Sequence, residues 1–265
     1  MKKNSLYDID RAKGLAIFLV VVGHLVARGK PPEGADWYLL LKFLIYKFHM
    51  SFFMFTSGVV FYYVYKEPKN ITEYKEFILR KINRLLPAFV IFGLSILVGK
   101  VIASTFLHVD NVNYNIFSAI IDMMIMPSKS VAGSLWYIYV LLELYLLAPI
   151  LLVITRKKIN LLIAVSLILH FVPASNYFML NRLFEYTIYF FIGVAVISNY
   201  TLYKSFLDKY WGIFIFVFGL SFLTIPIISS GGSKLTIGLC SIPALHGLVS
   251  SKFLKNTNTL LVLGK

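Results

Sequence analysis

The sequence contains few charged side chains and a single cysteine. Asp, Glu, Lys and Arg make up 14% of its 265 residues, whereas a soluble domain carries about 25%. The surface of a water-soluble protein of this size cannot be built from so few charges. The composition therefore excludes a cytosolic globular enzyme, and the lone Cys240 excludes an intrachain disulfide framework.

Apolar residues are abundant instead. Hydrophobic side chains account for 58% of the chain, and the mean hydropathy is +0.77. Because a membrane crossing needs about 20 apolar residues, we expect an all-α, polytopic transmembrane helix bundle. Residues 113–127 are apolar but short, which predicts a re-entrant or interfacial segment. The eight predicted spans cover about residues 13–28, 43–65, 86–107, 134–154, 158–173, 182–198, 211–229 and 235–250.

The net charge of +14 favours a membrane topology over nucleic-acid binding. Most of the 26 Lys and Arg residues lie between the apolar runs, where the positive-inside rule accounts for them. With the N-terminus in the cytoplasm, 17 of them fall on the cytoplasmic side and seven on the other side. The sequence therefore predicts a cytoplasmic N-terminus and no nucleic-acid partner.

An ionisable face is predicted on the first span. Lys13 and His24 are 11 residues apart, so they share one helix face about 16 Å apart, and Asp10 falls near the same stripe. An ionisable group inside a span costs about 2.5–3.5 kcal/mol on insertion scales and needs a partner or a use. His24 is a candidate general base, and the alternative is a structural histidine. For Lys13 the alternative is a charge that sets the topology.

His49 opens the second span from the outer side, where it can approach the depth of His24. Two histidines can share a proton, or one can orient the other as a general base. The alternative is an interfacial histidine within an aromatic belt. Ser57 and Gly58 predict a small-residue packing contact between helices. No carboxylate or thiol is evident to complete a metal site with the two histidines, so no metal is expected.

An amphipathic cytoplasmic helix is predicted between the second and third spans. Asn70 with Glu73 is typical of a helix start, and Pro87 is expected to separate this helix from the third span. Arg80 and Arg84 lie one turn apart, opposite the apolar face. Two such guanidinium groups can hold phosphates at the membrane surface, and a helix lying on anionic lipid is the alternative.

Trp136, Tyr139 and Glu143 share one face of the fourth predicted span. Trp136 fits an interfacial aromatic belt, and together with Tyr139 it is a candidate substrate contact. Glu143 lies near mid-span with no charge beside it, so we expect it to pair with a polar residue of the first or second span. Three further histidines fall near span ends and are expected to be structural: His108, His170 and His246.

Most of these polar residues belong to five short sequence runs. The runs are Asp10-(x2)-Lys13-Gly14-(x9)-His24, His49-Met50-x-Phe52-Phe53-(x3)-Ser57-Gly58, Arg80-Lys81-(x2)-Arg84-Leu85-Leu86-Pro87, Leu135-Trp136-Tyr137 and Tyr189-Phe190-Phe191-Ile192-Gly193. In this order the set resembles the acyltransferase family 3 membrane proteins and covers nearly the whole chain. The first run resembles the fucose 4-O-acetylase and O-antigen acetylase-like branch of that family.

The resemblance implies an acyl-CoA-dependent O-acyltransferase of bacterial surface sugars. In that family the histidine of the first span is the essential catalytic residue, and it corresponds to His24. The basic residue before it corresponds to Lys13, where the family commonly has arginine. The cytoplasmic basic residues associated with acyl-CoA correspond to Arg80, Lys81 and Arg84.

The chain departs from the family pattern at two further places. Ser51 stands where the family usually has proline. The family ordinarily has more spans than the eight predicted here, and its last recognisable patch begins with a run similar to Leu263-Gly264-Lys265. We therefore expect residues 1–265 to form a single acyltransferase-3-like transmembrane domain that lacks its final spans.

With these residues, the resemblance implies an integral membrane O-acyltransferase of the bacterial inner membrane. It would move acetyl from acetyl-CoA, the donor substrate, to a sugar hydroxyl of a surface polysaccharide or its lipid-linked precursor. No bound cofactor is expected, and membrane lipid is the remaining partner. The alternative is a transporter or flippase for a lipid-linked saccharide, in which buried ionisable groups form a proton path. The predicted catalytic residues are His24, Lys13, Asp10, His49 and Glu143.

Overall fold

The computed structural model of the chain describes residues 7–25, 34, 36–109, 112–251, 254 and 258–264. Within these ranges the regular secondary structure is helical and includes no strand, in agreement with the predicted all-α class. Short 3₁₀ turns occur at Gly133–Leu135, Tyr177–Met179 and Phe222–Thr224. The α-helices of the described ranges are α1 (Tyr7–His24), α2 (Asp36–Tyr46), α3 (His49–Val64), α4 (Ile71–Ala103), α5 (Ile116–Ile125), α6 (Trp136–Ile154), α7 (Ile159–Phe171), α8 (Leu180–Ser198), α9 (Tyr200–Ser221), α10 (Ser230–Ser250) and α11 (Asn258–Gly264).

Five helical stretches in the described ranges are long and apolar enough to cross a membrane. They are Asp36–Val64, Ile71–Ala103, Gly133–Ile154, Tyr177–Ser198 and Tyr200–Thr224. The apolar helices α5 and α7 have 10 and 13 residues, which is shorter than the span of about 20 residues that a bilayer requires. The chain therefore has the helices of a polytopic membrane protein. The count of eight spans and the orientation of the N-terminus stay predictions.

Two predicted helix boundaries differ from the structure. A turn at Lys47 and Phe48 divides the second predicted span into α2 and α3. The separation expected at Pro87 is wrong, because α4 continues through this residue. Proline is tolerated inside an apolar helix when neighbouring groups satisfy the backbone groups that it frees. The predicted start of the helix is confirmed, since the Asn70 side chain accepts a hydrogen bond from the Glu73 N–H at 2.9 Å.

The chain divides into two compact units. The first unit comprises Met1–Tyr65 and Ile188–Lys265, and the second comprises Lys66–Thr187. Helices α1 to α3, most of α8 and α9 to α11 are parts of the first unit. Helices α4 to α7 and the beginning of α8 are parts of the second. The prediction of a single domain stays a prediction.

Close backbone approaches pack the helices of the first unit. A Cβ atom built at Gly58 on α3 would lie 2.0 Å from the carbonyl oxygen of Phe190 on α8. Conversely, a Cβ atom built at Gly193 would lie 2.2 Å from the carbonyl oxygen of Phe55. Only residues without a side chain permit such contacts. The packing contact predicted at Ser57 and Gly58 is therefore confirmed.

In the second unit, α4 and α6 pack in antiparallel directions. The Tyr74 hydroxyl donates to the carbonyl oxygen of Leu146 at 2.9 Å. Further along α4, the Phe89 ring lies 5.9 Å from the Tyr139 ring, between centroids. These two contacts place the N-terminal half of α4, which contains Arg80, Lys81 and Arg84, beside the C-terminal half of α6.

Candidate functional site

The polar face predicted on α1 begins with an ion pair. Nζ of Lys13 lies 3.4 Å from Oδ1 of Asp10, and the two side chains are 27% and 25% exposed. Asp8 and Asp10 occupy the first turn of α1, where the helix dipole favours negative charge. Because the helix is unbroken as far as His24, Lys13 and His24 lie on the face that their spacing predicts.

His24 is the last residue of α1, and its side chain is exposed. The sequence placed His24 within the first predicted span, about residues 13–28, whereas in the structure it ends the helix. The reason is that α1 begins at Tyr7, several residues before the predicted span, and its 18 residues end at His24. The Tyr46 hydroxyl of α2 lies 3.4 Å from each ring nitrogen of His24. An exposed imidazole held by one hydroxyl is within reach of a substrate.

Tyr46 joins the two histidines that were predicted to act together. Its ring centroid lies 5.7 Å from that of His24 and 5.0 Å from that of His49. Lys42, one turn earlier on α2, places its Nζ 5.8 Å from the centre of the same ring. His24, Tyr46 and His49 thus form one aromatic group, termed here the His24 cluster. Tyr46 was not predicted as part of this group, although only Lys47 and Phe48 separate it from His49 in the sequence.

His49 is buried, and its Nδ1 atom lies 2.8 Å from the carbonyl oxygen of Ile45. Because a carbonyl oxygen only accepts hydrogen bonds, Nδ1 carries a proton and donates it. In the neutral ring, Nε2 then has the free lone pair. No set of three His, Cys, Asp or Glu side chains in the described ranges is arranged to hold a metal ion. His49 is therefore fixed in one orientation beside Tyr46.

The basic residues predicted to bind acyl-CoA lie on α4 in the second unit. Arg80 and Arg84 are exposed, and the nearest ion pair of Arg80 joins its Nη1 to Oε2 of Glu76 at 3.7 Å. Lys81 is partly buried, with its Nζ 4.7 Å from the centre of the Tyr145 ring on α6. The two arginines are accessible to a ligand, whereas Lys81 is held against an aromatic ring.

The predicted substrate contacts lie at the beginning of α6 and differ in environment. The Trp136 ring lies 5.0 Å from the Tyr186 ring, and Cζ of Arg182 lies 5.4 Å from its centre. Tyr139 donates its hydroxyl hydrogen bond to the carbonyl oxygen of Met124 at 2.8 Å. Trp136 therefore belongs to a partly exposed aromatic and guanidinium group, whereas the Tyr139 hydroxyl bonds to backbone within the same unit.

Glu143 lies on the same face of α6, two turns after Trp136. Its Oε2 atom is buried and receives no hydrogen bond from any residue that the structure describes. Buried carboxylate oxygens are normally paired, because burial without a partner is costly. An unsatisfied ionisable group in an apolar helix is therefore a candidate functional group. Glu143 belongs to the second unit, whereas His24, His49 and Lys13 belong to the first. Its predicted pairing with one of them therefore stays a prediction.

A second polar group in the first unit was not predicted. Tyr200 donates a hydrogen bond to Oδ2 of Asp8, and Nε2 of His246 lies 3.4 Å from the same oxygen. The Tyr203 hydroxyl lies 3.1 Å from Nδ1 of His246, whose side chain is fully buried. These four residues are termed the Asp8 network. Burial alone would raise the pKa of the Asp8 carboxyl, but His246, Tyr200 and nearby Lys204 together lower it below its ordinary value.

Comparisons with known proteins place the chain in a family. The sequence profile of acyltransferase family 3, described as an acyltransferase domain, matches residues 6–265. Comparison with curated proteins and with solved structures finds no significant match. The matched range includes the polar face of α1, the two arginines of α4 and Glu143 of α6. Because the match extends over nearly the entire sequence, the chain belongs to acyltransferase family 3.

Proposed function

We propose that this protein is an O-acyltransferase of the bacterial inner membrane, which transfers acetyl from acetyl-CoA to a sugar hydroxyl. The acceptor would be a surface polysaccharide or its lipid-linked precursor. The observation that carries the proposal is the exposed His24 imidazole, held by Tyr46, in a chain of acyltransferase family 3. Transfer to a hydroxyl needs a base that removes its proton, and an accessible histidine is suited to this role.

His24 is the proposed proton acceptor. In its neutral form the imidazole takes the hydroxyl proton as the sugar oxygen attacks the thioester carbonyl. A carbon–oxygen bond forms, the carbon–sulfur bond breaks, and the imidazolium returns the proton to the departing CoA thiolate. Tyr46 contacts both His24 and His49 and would hold the imidazole during this step. The Asp10–Lys13 ion pair extends the same polar face along α1.

Arg80 and Arg84 are the proposed contacts for the phosphates of acetyl-CoA. Planar guanidinium groups bind phosphate oxygens through two parallel hydrogen bonds. Both side chains are exposed and lie one turn apart on α4, so one ligand can be contacted by both. Lys81 was assigned to the same role from its position in the sequence. Its contact with Tyr145 supports a packing role between α4 and α6 instead.

Trp136 and Glu143 are the proposed contacts for the acceptor. An aromatic ring offers an apolar face to the C–H groups of a sugar, and Trp136 has its ring partly exposed. Glu143 is only partly buried, and its buried Oε2 atom has no hydrogen bond among the described residues, so we propose that the side chain turns to accept a hydrogen bond from a sugar hydroxyl. The Tyr139 hydroxyl bonds to backbone, so only its ring remains for the substrate contact predicted from the sequence.

The proposal is tested by acetyl-CoA kinetics in membranes that contain the protein. Thiol release from acetyl-CoA should depend on an added saccharide acceptor, whereas a transporter would move the saccharide and release no thiol. The variant with Arg80→Gln and Arg84→Gln should raise the KM for acetyl-CoA at least tenfold, because each charged hydrogen bond contributes about 1.5–3 kcal/mol. Membrane insertion should be unchanged.

A matched control removes two positive charges from the same cytoplasmic stretch. Lys69→Gln with Lys75→Gln alters two exposed residues and should leave the KM for acetyl-CoA near the parental value. An equal KM in the arginine variant and the parent would assign the arginines to lipid contact. An equal increase in both variants would mean that general surface charge, rather than a phosphate site, attracts the donor.

A further inference from the structure

The Asp8 network takes no part in the chemistry proposed above, although it contains a fully buried histidine and a largely buried carboxylate. His246 is 0% exposed and the Asp8 side chain is 15% exposed. The His246 ring contacts three other helices. It faces Asp8 of α1 and Tyr203 of α9, and its centroid lies 6.0 Å from that of Phe55 on α3. A substrate therefore has no access to this imidazole, and a catalytic role is excluded.

The polar contacts of the network all lead to Asp8. Nε2 of the fully buried His246 ring lies 3.4 Å from Oδ2 of Asp8. On the other side of the ring, the Tyr203 hydroxyl lies 3.1 Å from Nδ1. The Tyr200 hydroxyl donates directly to Asp8. Groups from α9 and α10 are thus connected to one carboxylate in the first turn of α1.

The helix that this carboxylate belongs to also contains the polar face of Asp10, Lys13 and His24. Helix α1 is continuous from Tyr7 to His24, so a rotation or shift at Asp8 is transmitted to its other end. Directional hydrogen bonds fix rotation and axial position, which nondirectional apolar packing does not. A displacement of about 1 Å at a catalytic group can reduce a rate about a hundredfold.

We propose that the Asp8 network positions α1, so that Asp8, Tyr203 and His246 are positioning residues for His24. This inference rests on the proposed function for its effect on the reaction, but its effect on α1 itself is independent of that function. Loss of the network should free α1 from α9 and α10 and displace the His24 imidazole. The donor site on α4 belongs to the second unit and should keep its affinity for acetyl-CoA.

The test uses the full chain in detergent with two readouts. For Asp8→Asn, hydrogen exchange of the α1 amides should become about tenfold faster, while exchange in α6 stays at the parental rate. The kcat at saturating acetyl-CoA should fall about ten- to a hundredfold with KM unchanged. Tyr203→Phe removes a single hydroxyl and should show both effects more weakly, which keeps the test usable if Asp8→Asn does not fold.

Tyr7→Phe is the matched control, because it removes a hydroxyl from an exposed side chain next to Asp8. It should leave exchange and kcat at parental values. The proposal would be overturned if the α1 amides of both network variants exchange hydrogen at the parental rate. It would also be overturned if exchange becomes equally faster in α1 and α6, because that result indicates general destabilisation. Faster α1 exchange in a chain whose parent transfers no acetyl would support the positioning of α1 and refute the proposed function.

Discussion

Replacing Gly58 with alanine should destabilise the first unit through a contact that the structure specifies. The added Cβ atom would lie 2.0 Å from the carbonyl oxygen and 2.8 Å from the carbonyl carbon of Phe190. Both are backbone atoms, so no side-chain rotation relieves the overlap, and α3 and α8 must separate. Overpacking of this kind costs about 1–3 kcal/mol, against about 1 kcal/mol that alanine gains over glycine within a helix.

The control for this substitution is Gly212→Ala on α9. Outside its own helix, no atom of the described chain lies within 4 Å of a Cβ atom built at Gly212. Only the helix propensity then acts, and this variant should be stabilised by up to about 1 kcal/mol. Unfolding in detergent, followed by circular dichroism, would compare the two variants with the parent.

The two substitutions should therefore change the free energy of unfolding in opposite directions. The result matters for function because α3 also carries His49 of the His24 cluster. A stability for Gly58→Ala equal to or above that of Gly212→Ala would refute the close contact between α3 and α8.

Three further predictions concern topology, the buried carboxylate and pH. In a Cys240→Ser background, Asp36→Cys should react with an impermeant thiol reagent added outside the cell, whereas Lys69→Cys should not react. The reverse labelling pattern would contradict a cytoplasmic N-terminus. Glu143→Gln should lower acetyl transfer at least tenfold without lowering the melting temperature, because it replaces an unpaired buried carboxylate; parental turnover would exclude a role in the reaction. Because the pKa of Asp8 is lowered by folding, its ionised form stabilises the protein above about pH 4 and loses this effect as the pH falls further. The difference in melting temperature between the parent and Asp8→Asn should thus be constant from pH 7 to about pH 4 and shrink below it, and a difference that grows with acid would contradict the assignment.

Local features of the fold were predictable because they depend on neighbouring residues. The asparagine cap at Asn70 and the short apolar helix near residues 116–125 agree with the sequence patterns. The shared face of Lys13 and His24 follows from helix geometry once α1 is known to be continuous. The end of α1 was misplaced because apolar residues continue beyond His24, and hydropathy alone does not indicate where a helix stops.

The features that the sequence did not reveal depend on contacts between distant residues. Asp8 and His246 lie near opposite ends of the chain, so no spacing rule connects them. Tyr46 was overlooked because it lies in α2, a helix that the hydropathy pattern merged with α3. The uninterrupted helix at Pro87 was missed for a related reason, since tolerance of a proline depends on tertiary surroundings. Such contacts become visible only in three dimensions.

The most direct test of the central claim is the acetyl-transfer rate of His24→Ala. Loss of a general base lowers a rate about 10²–10⁴-fold, so this variant should insert normally, bind acetyl-CoA with parental affinity and lose transfer to that extent. His108→Ala serves as the matched control, because it removes an exposed histidine outside the proposed site, and it should retain the parental rate. A folded His24→Ala protein with near-parental turnover would contradict the account and direct attention to His49 or Glu143.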